Sequence, residues 1–234
     1  MAIPTLGIVT GLKTEAQLLR GLEADGDTRV ALSGADSGRA EASAEKLVAK
    51  GADALISFGV CGALQPGLQA GALLLPTSIR AWADGPEGPE VPVTEAWRRR
   101  LLDALPARLR EELREGSLLG ADRVITLAEE KRALGLSFAA AAVDMESHAV
   151  AKVAARHGLP LLVVRACSDP ADQDLPAGTE QATRPDGSLR LAPVLLGLAR
   201  RPGSLPGLLR LGRGTQRALA TLRQVVALPA LREP

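Results

Sequence analysis

The sequence predicts an α/β fold. Three observations carry this reading: short apolar runs bounded by Gly or Pro, helical patterns lying between them, and a composition in the ordinary globular range. The chain has 234 residues, 46% of them hydrophobic and 24% charged, long enough for one large domain with a buried core. With two Trp, two Phe and no Tyr, that core must be built from Leu, Ala and Val. A base-stacking platform would have few residues to use, which argues against a nucleic-acid partner.

Taken in order, strands are expected at 6–12, 29–33, 54–59, 71–79, 123–126 and 161–166, because each is a short apolar run closed by Gly, Pro or a polar turn. Helices are expected at 14–22, 37–50, 94–105, 127–134 and 147–157, where the apolar residues recur at helical spacing. Residues 84–90, Asp84-Gly-Pro-Glu-Gly-Pro-Glu90, read as a loop. After Asp174-Leu-Pro-Ala-Gly178 the chain turns to Leu, Arg, Pro and Gly, so 1–183 is expected as one domain and 184–234 as a helical extension. Within the extension, Leu208, Leu211, Leu219, Leu222 and Val226 share one helical stripe with Arg210, Arg213 and Arg217 opposite, although Gly212 and Gly214 weaken the helix.

Formal net charge is +1, yet the two ends differ in sign. Residues 184–234 hold nine Arg against two acids, an excess of +7, while the first 183 residues hold 19 basic against 25 acidic side chains, or −6. Such a tail points to an anionic partner, for which a membrane surface reached through 200–234 is one reading and a helix packed on the domain or on a second subunit is the other. Two Cys and two His without metal-type spacing indicate neither a disulfide framework nor a zinc site, and no metal or cofactor is expected. Without a basic leader or an apolar run of ~18 residues, a cytoplasmic protein is expected, peripheral to the inner face of the membrane if the tail binds there.

Three segments place polar groups at strand ends. Leu6-Gly-Ile-Val-Thr-Gly-Leu-Lys-Thr-Glu15 runs through a Gly turn into a helix with Glu15 in its first turn, where a carboxylate is also a plain partner for the helix N-terminus. Phe58-Gly-Val-Cys-Gly-Ala63 closes a strand with two glycines, allowing close approach of a ligand or simply a tight turn; it lacks the spacing of a dinucleotide fingerprint. Val143-Asp-Met-Glu-Ser-His-Ala149 opens a helix, and Leu161-Leu-Val-Val-Arg-Ala-Cys-Ser-Asp169 is a buried strand ending in Ser168-Asp169. Open α/β sheets bind ligands at such carboxyl ends, though Ser-Asp before Pro170 is also a common cap.

Together and in this order, the segments resemble the purine and uridine phosphorylase superfamily over about residues 5–176, particularly its methylthioadenosine/S-adenosylhomocysteine nucleosidase branch. The tail after Thr183-Arg-Pro-Asp-Gly187 brings the resemblance nearer to the hopanoid-associated phosphorylases, which act on adenosylhopane. The resemblance implies a three-layer α/β/α fold with a central mixed sheet, no cofactor, a homodimer, and cleavage of the N-glycosidic bond of an adenine nucleoside. It makes Asp169 the general acid at purine N7, held in a site that disfavours its charge, with Ser168 beside it. It makes Glu15 the base that activates water, Glu146 the ligand of the ribose hydroxyls and Met145 the packing partner of the sugar. Val60, Cys61 and Gly62 would line the water or anion side of the sugar, and Arg123 and Val124 would present backbone to the base.

Two residues depart from the nucleosidase pattern: Val60 replaces a small Ser, and Arg123 replaces an aromatic. The nucleophile stays open. Glu15 would repel phosphate, whereas Lys13, Arg39 or Arg80 could assemble an anion site for phosphorolysis. An inactive nucleoside-binding relative is the remaining alternative, against which stands the joint presence of Glu15, Glu146 and Asp169.

Overall fold

The computed structural model describes residues 4–188, 203 and 205–234. Among the described residues, nine strands form one mixed sheet: β1 (Leu6–Thr10), β2 (Thr28–Leu32), β3 (Ala54–Ala63), β4 (Leu73–Leu74), β5 (Ser78–Ala81), β6 (Glu90–Pro92), β7 (Ser117–Gly120), β8 (Ala140–Asp144) and β9 (Leu161–Asp169). The order runs β2-β1-β3-β8-β7-β5-β6, with β9 pairing both β3 and β4. Strand β3 is the pivot. Its residues from Leu55 to Gly62 pair in parallel with β9, and its last two, Gly62 and Ala63, pair antiparallel with β8.

Helices α1 (Lys13–Ala24), α2 (Ser37–Ala49), α3 (Glu95–Ala104), α4 (Ala107–Glu112), α5 (Ala128–Ser137), α6 (Ser147–His157) and α7 (Leu205–Val226) cover the sheet. One face packs β-strand residues such as Val9, Leu55 and Val163 against Ala40, Ala44 and Leu47 of α2 and Val150, Val153 and Ala154 of α6. The other face sets Ile8, Ile56, Phe58 and Val164 against Leu19 of α1, Trp97 and Leu101 of α3, and Ala218, Leu222 and Val225 of α7. The small Ala residues bring the helices close, so three layers form with few aromatics. Sequence signals fix several boundaries: Asp36 caps α2 by accepting from Arg39 N at 2.8 Å, and Gly158 ends α6 in the left-handed region at φ +63°.

Five expectations are corrected. The run 71–79 is two strands, because Pro76 lacks the N–H that a continuous ladder needs. Residues 123–126 are a loop rather than a strand, with Ile125 buried against Leu64 and Phe138; the strand of this region is β7, just upstream. Val143 and Asp144 close β8 instead of opening a helix, a strand hidden by its low-propensity Ala run. The short elements β6 and α4 also stand where no element was expected.

The extension's helix is real, but its buried face is rotated from the expected stripe. Gly214, Ala218, Thr221, Leu222 and Val225 face the sheet, while Leu208, Leu211, Leu219 and Val226 are half-buried at its flank. Close packing on β9 selects the small residues: a Cβ at Gly214 would collide with the Ser168 carbonyl oxygen. Residues 200–202 and 204 of the expected membrane segment, with Arg190, Arg200 and Arg201 of the tail, lie outside the described residues. Among the described residues, no helix is long and apolar enough to cross a membrane.

Candidate active site

The site is built where β1, β3, β8 and β9 end. Glu15, in the first turn of α1, is almost fully buried, and its two oxygens do different things. Oε2 accepts from Thr10 Oγ1 at 2.7 Å, Gly11 N at 3.0 Å and Leu12 N at 2.8 Å, which is the local helix-start role a carboxylate there can always play. Oε1 reaches across to β3 and accepts from Val60 N at 2.9 Å. One carboxylate thus ties the β1–α1 turn to the carboxyl end of β3.

Glu146 is the residue just before α6 and turns its buried carboxyl onto the same β1–α1 turn, against Gly11. Burial pushes this carboxyl up to about 8, with the neighbouring charges of Asp144 and Glu15 acting in the same direction and Arg165 opposing them. Arg165, an arginine inside an otherwise apolar strand, lies 2.6 Å from Asp144 Oδ2 and 3.4 Å from Glu146 Oε2, and donates to Ser57 Oγ at 2.6 Å. Ser147 completes the cluster by bonding Asp144. A buried guanidinium needs such partners, so Arg165 holds the β8–α6 turn in place and sets where Glu146 points. Met145 sits half-buried on that turn.

Asp169 occupies the far side. A register shift between Cys61 and Gly62 pairs Gly62 with Asp169 and leaves Ser168 as the extra residue on β9. This bulge re-aims Asp169, whose Oδ2 lies 3.1 Å from where a Cβ on Gly62 would stand. Ser168 Oγ lies 2.6 Å from Asp169 Oδ1 and 3.1 Å from the Cys61 carbonyl oxygen. Oδ2 itself takes a hydrogen bond from Lys131 Nζ at 2.6 Å. The carboxyl thus faces a buried ammonium, a partner that the sequence did not point to.

Of the remaining expected residues, Val60 and Gly62 lie half-buried at the edge of the site, whereas the Cys61 side chain turns into the core, where burial pushes its thiol well above the ordinary range. Its contribution to the site is its carbonyl. Arg123 and Val124 lie on the loop that crosses the end of β7. That loop is laid alongside the segment after Asp169: Leu175 N donates to Thr126 O at 2.8 Å, and Asp174 accepts from Ala128 N at 2.8 Å. Arg123 points outward, stacked on Trp82 at 4.7 Å and paired with Glu130. Trp82, Ala83, Asp122 and Arg123 line an open cleft of about 380 Å³.

Lys131, Arg165, Asp144 and Ser57 were not singled out from sequence. Arg165 carried a signal, since a charge in a buried strand demands a buried counter-charge. Lys131 carried none, sitting in Glu129-Glu130-Lys131-Arg132, which reads as a solvated helix face.

The phosphorylase superfamily profile matches residues 6–200. The chain belongs to the phosphorylase superfamily. Membership carries the reaction class of nucleosidases and nucleoside phosphorylases, cleavage of an N-glycosidic bond. Among solved structures, the chain is similar to the 5′-methylthioadenosine/S-adenosylhomocysteine nucleosidase of Neisseria meningitidis in complex with methylthio-immucillin-A, at TM-score 0.70 and 20% identity over 95% of this chain and 96% of that one. It is similar to the futalosine hydrolase of Helicobacter pylori at TM-score 0.67 and 20% identity, over 96% and 97% of the two chains. The corresponding nucleosidase of Campylobacter jejuni matches at TM-score 0.64 and 24% identity, over 73% and 88%. No curated protein matches the chain in sequence.

Proposed function

We propose that this superfamily member is a nucleosidase that hydrolyses the N-glycosidic bond of an adenine nucleoside. The observation that carries the reading is that two acids from different elements meet one stretch of β3, with Glu15 bonded at Val60 and Asp169 facing Gly62. Breaking the bond from C1′ to N9 leaves positive charge on the sugar and negative charge on the base, so the two ends need opposite help. Asp169 gives a proton to N7 as the base departs. On the sugar side, Glu15 Oε1, which accepts from one protein donor, takes a proton from the attacking water. Glu146 receives the ribose hydroxyls beside Gly11, and Met145 packs on the sugar.

Water is favoured over phosphate because the three cations that the sequence offered for an anion site are engaged. Lys13 Nζ is paired with Asp186 at 2.7 Å, and Arg39 is bonded to the Ser33 and Gly34 carbonyls and to Asp36. Arg80 is paired with Glu90 at 3.2 Å. The 184–188 turn that carries Asp186 lies over the β1–α1 turn, with Lys13 N donating to Gly187 O at 3.0 Å, and so adds a negative charge where phosphate would enter.

The finer reading is that the substrate is adenosylhopane, met at the membrane surface in hopanoid side-chain synthesis. It rests on the family resemblance and on the start of α7, where Leu205 and Leu209 are exposed next to the solvent-facing Arg210, Arg213 and Arg217. The test is adenine release from methylthioadenosine and from adenosylhopane, each with and without phosphate. Adenine with a 5′-substituted ribose bearing a free anomeric hydroxyl, and no phosphate dependence, supports hydrolysis. The corresponding sugar 1-phosphate overturns it, and activity confined to methylthioadenosine removes the hopane substrate.

A further inference from the structure

The buried ion pair behind Asp169 has a place in the reaction that neither the resemblance nor the reaction class assigns. Lys131 extends from α5 and is itself fully enclosed, its side chain 1% exposed against 6% for Asp169. Its ammonium has three acceptors: Asp169 Oδ2 at 2.6 Å, the Gln173 carbonyl at 3.0 Å and the Pro170 carbonyl at 3.2 Å. Three donors meet three acceptors, so the charge is fixed in direction and cannot swing away. Enclosing an ammonium costs several kcal/mol that a neutral side chain would not incur. A merely packed position on α5 has no need of it.

We propose that Lys131 is the positioning residue of the acid, a fixed cation that neutralises the Asp169 carboxylate as its proton passes to the purine. The inference rests on the reading of Asp169 as the group that protonates N7. In that step the Asp169 O–H bond breaks and N7–H forms, and the pair of the C1′–N9 bond goes to N9. The water oxygen bonds C1′ and its proton goes to Glu15. Adenine leaves neutral, Asp169 is left negative, and Glu15 returns its proton to solvent while Asp169 regains one. Negative charge on Asp169 thus develops during bond breaking, 2.6 Å from an ammonium that need not reorganise, in an enclosed site where such charges interact strongly. Lys131 lends no proton; it stabilises the product of the transfer. The thiols of Cys61 on β3 and Cys167 on β9 also lie near enough to interact with the Asp169 charge. Burial raises both, Cys167 to about 12, so they stay neutral and Lys131 supplies the charge.

The test compares Lys131→Met, Lys131→Arg, Asp169→Asn and the Asp169→Asn/Lys131→Met double variant on two probes. 5′-Methylthioadenosine needs a protonated leaving group, whereas p-nitrophenyl riboside leaves as a stable phenolate without one. Lys131→Met should lower kcat on methylthioadenosine by ~10–10²-fold, the loss of one preorganised charge at the group that becomes negative. It should cleave p-nitrophenyl riboside within about threefold of wild type, and Lys131→Arg should recover most of the loss. Equal loss on both probes, no loss on either, or no recovery in Lys131→Arg overturns the proposal and leaves Lys131 a packing residue. The double variant, which buries no lone cation, tests the underlying reading separately: if it releases adenine like wild type, Asp169 is not the acid. A wild type that cleaves neither probe is read by calorimetry with 9-deazaadenine, whose N7–H needs an accepting carboxylate. Affinity at least tenfold weaker in Lys131→Met supports the pair's role, and unchanged affinity overturns it.

Discussion

The Glu146 carboxyl lies against Gly11 so closely that a Cβ at position 11 would stand 2.5 Å from Oε1. The β1–α1 turn and the β8–α6 turn, 135 residues apart in sequence, therefore fit only because one of them lacks a side chain. Gly11→Ala should push Glu146 off its position. Overpacking of this kind costs ~1–3 kcal/mol, and a displacement of about 1 Å at a reacting site can cost ~10²-fold in rate. Steady-state kinetics together with a denaturant melt check this, and an unimpaired kcat/KM would show that Glu146 does not need this contact.

Glu146 also links stability to pH. Its carboxyl titrates near 8 in the folded chain, against an ordinary 4.5. Between those values the native state holds the extra proton, so stability falls as pH rises through the window, with a slope of up to ~1.4 kcal/mol per pH unit. Below 4.5 both states are protonated and the advantage is complete. Melting curves of the ligand-free protein from pH 5 to 8 should show the fall, and Glu146→Gln should flatten it. Above about pH 8, where Glu146 is a carboxylate, the same variant should discriminate less between ribosides and 2′-deoxyribosides, because an amide is a weaker acceptor than a carboxylate.

Asp169→Asn should lose adenine release by ~10²–10⁴-fold. It should also be destabilised by ~3–5 kcal/mol, since it leaves Lys131 buried without its counter-charge. A denaturant titration that matches wild type would mean that the pair contributes nothing to stability.

Wild type should be insensitive to phosphate. Asp186→Asn releases Lys13 at the mouth of the β1–α1 turn and should make phosphate a competitive inhibitor. If millimolar phosphate has the same effect on both proteins, Asp186 does not guard the site.

Removing 200–234 cannot serve as the membrane test, because Leu222, Val225 and Leu231 belong to the main core. Leu205→Glu/Leu209→Glu changes exposed positions instead. It should abolish salt-sensitive sedimentation with anionic liposomes and leave cleavage of a soluble adenosine analogue intact. Undiminished sedimentation would remove α7 from any membrane contact.

Local chemistry alone determined much of this protein. The strand runs at β1, β2, β3 and β9, the helices α1, α2, α3, α5 and α6, and the Ser168-Asp169 strand end were legible because period, Gly and Pro punctuation and capping acids act over a few residues. The sequence also presented Glu15, Glu146 and Asp169 as the acids worth following. What it could not determine is set by neighbours far away in the chain. Whether 123–126 pairs as a strand depends on an available edge, and which face of α7 is buried depends on how near β9 lets it come. Lys131 and Asp186 decided the charge around the site from 38 residues before Asp169 and 173 after Lys13. An ion pair has no periodicity, and its strength depends on burial, which only the folded arrangement fixes.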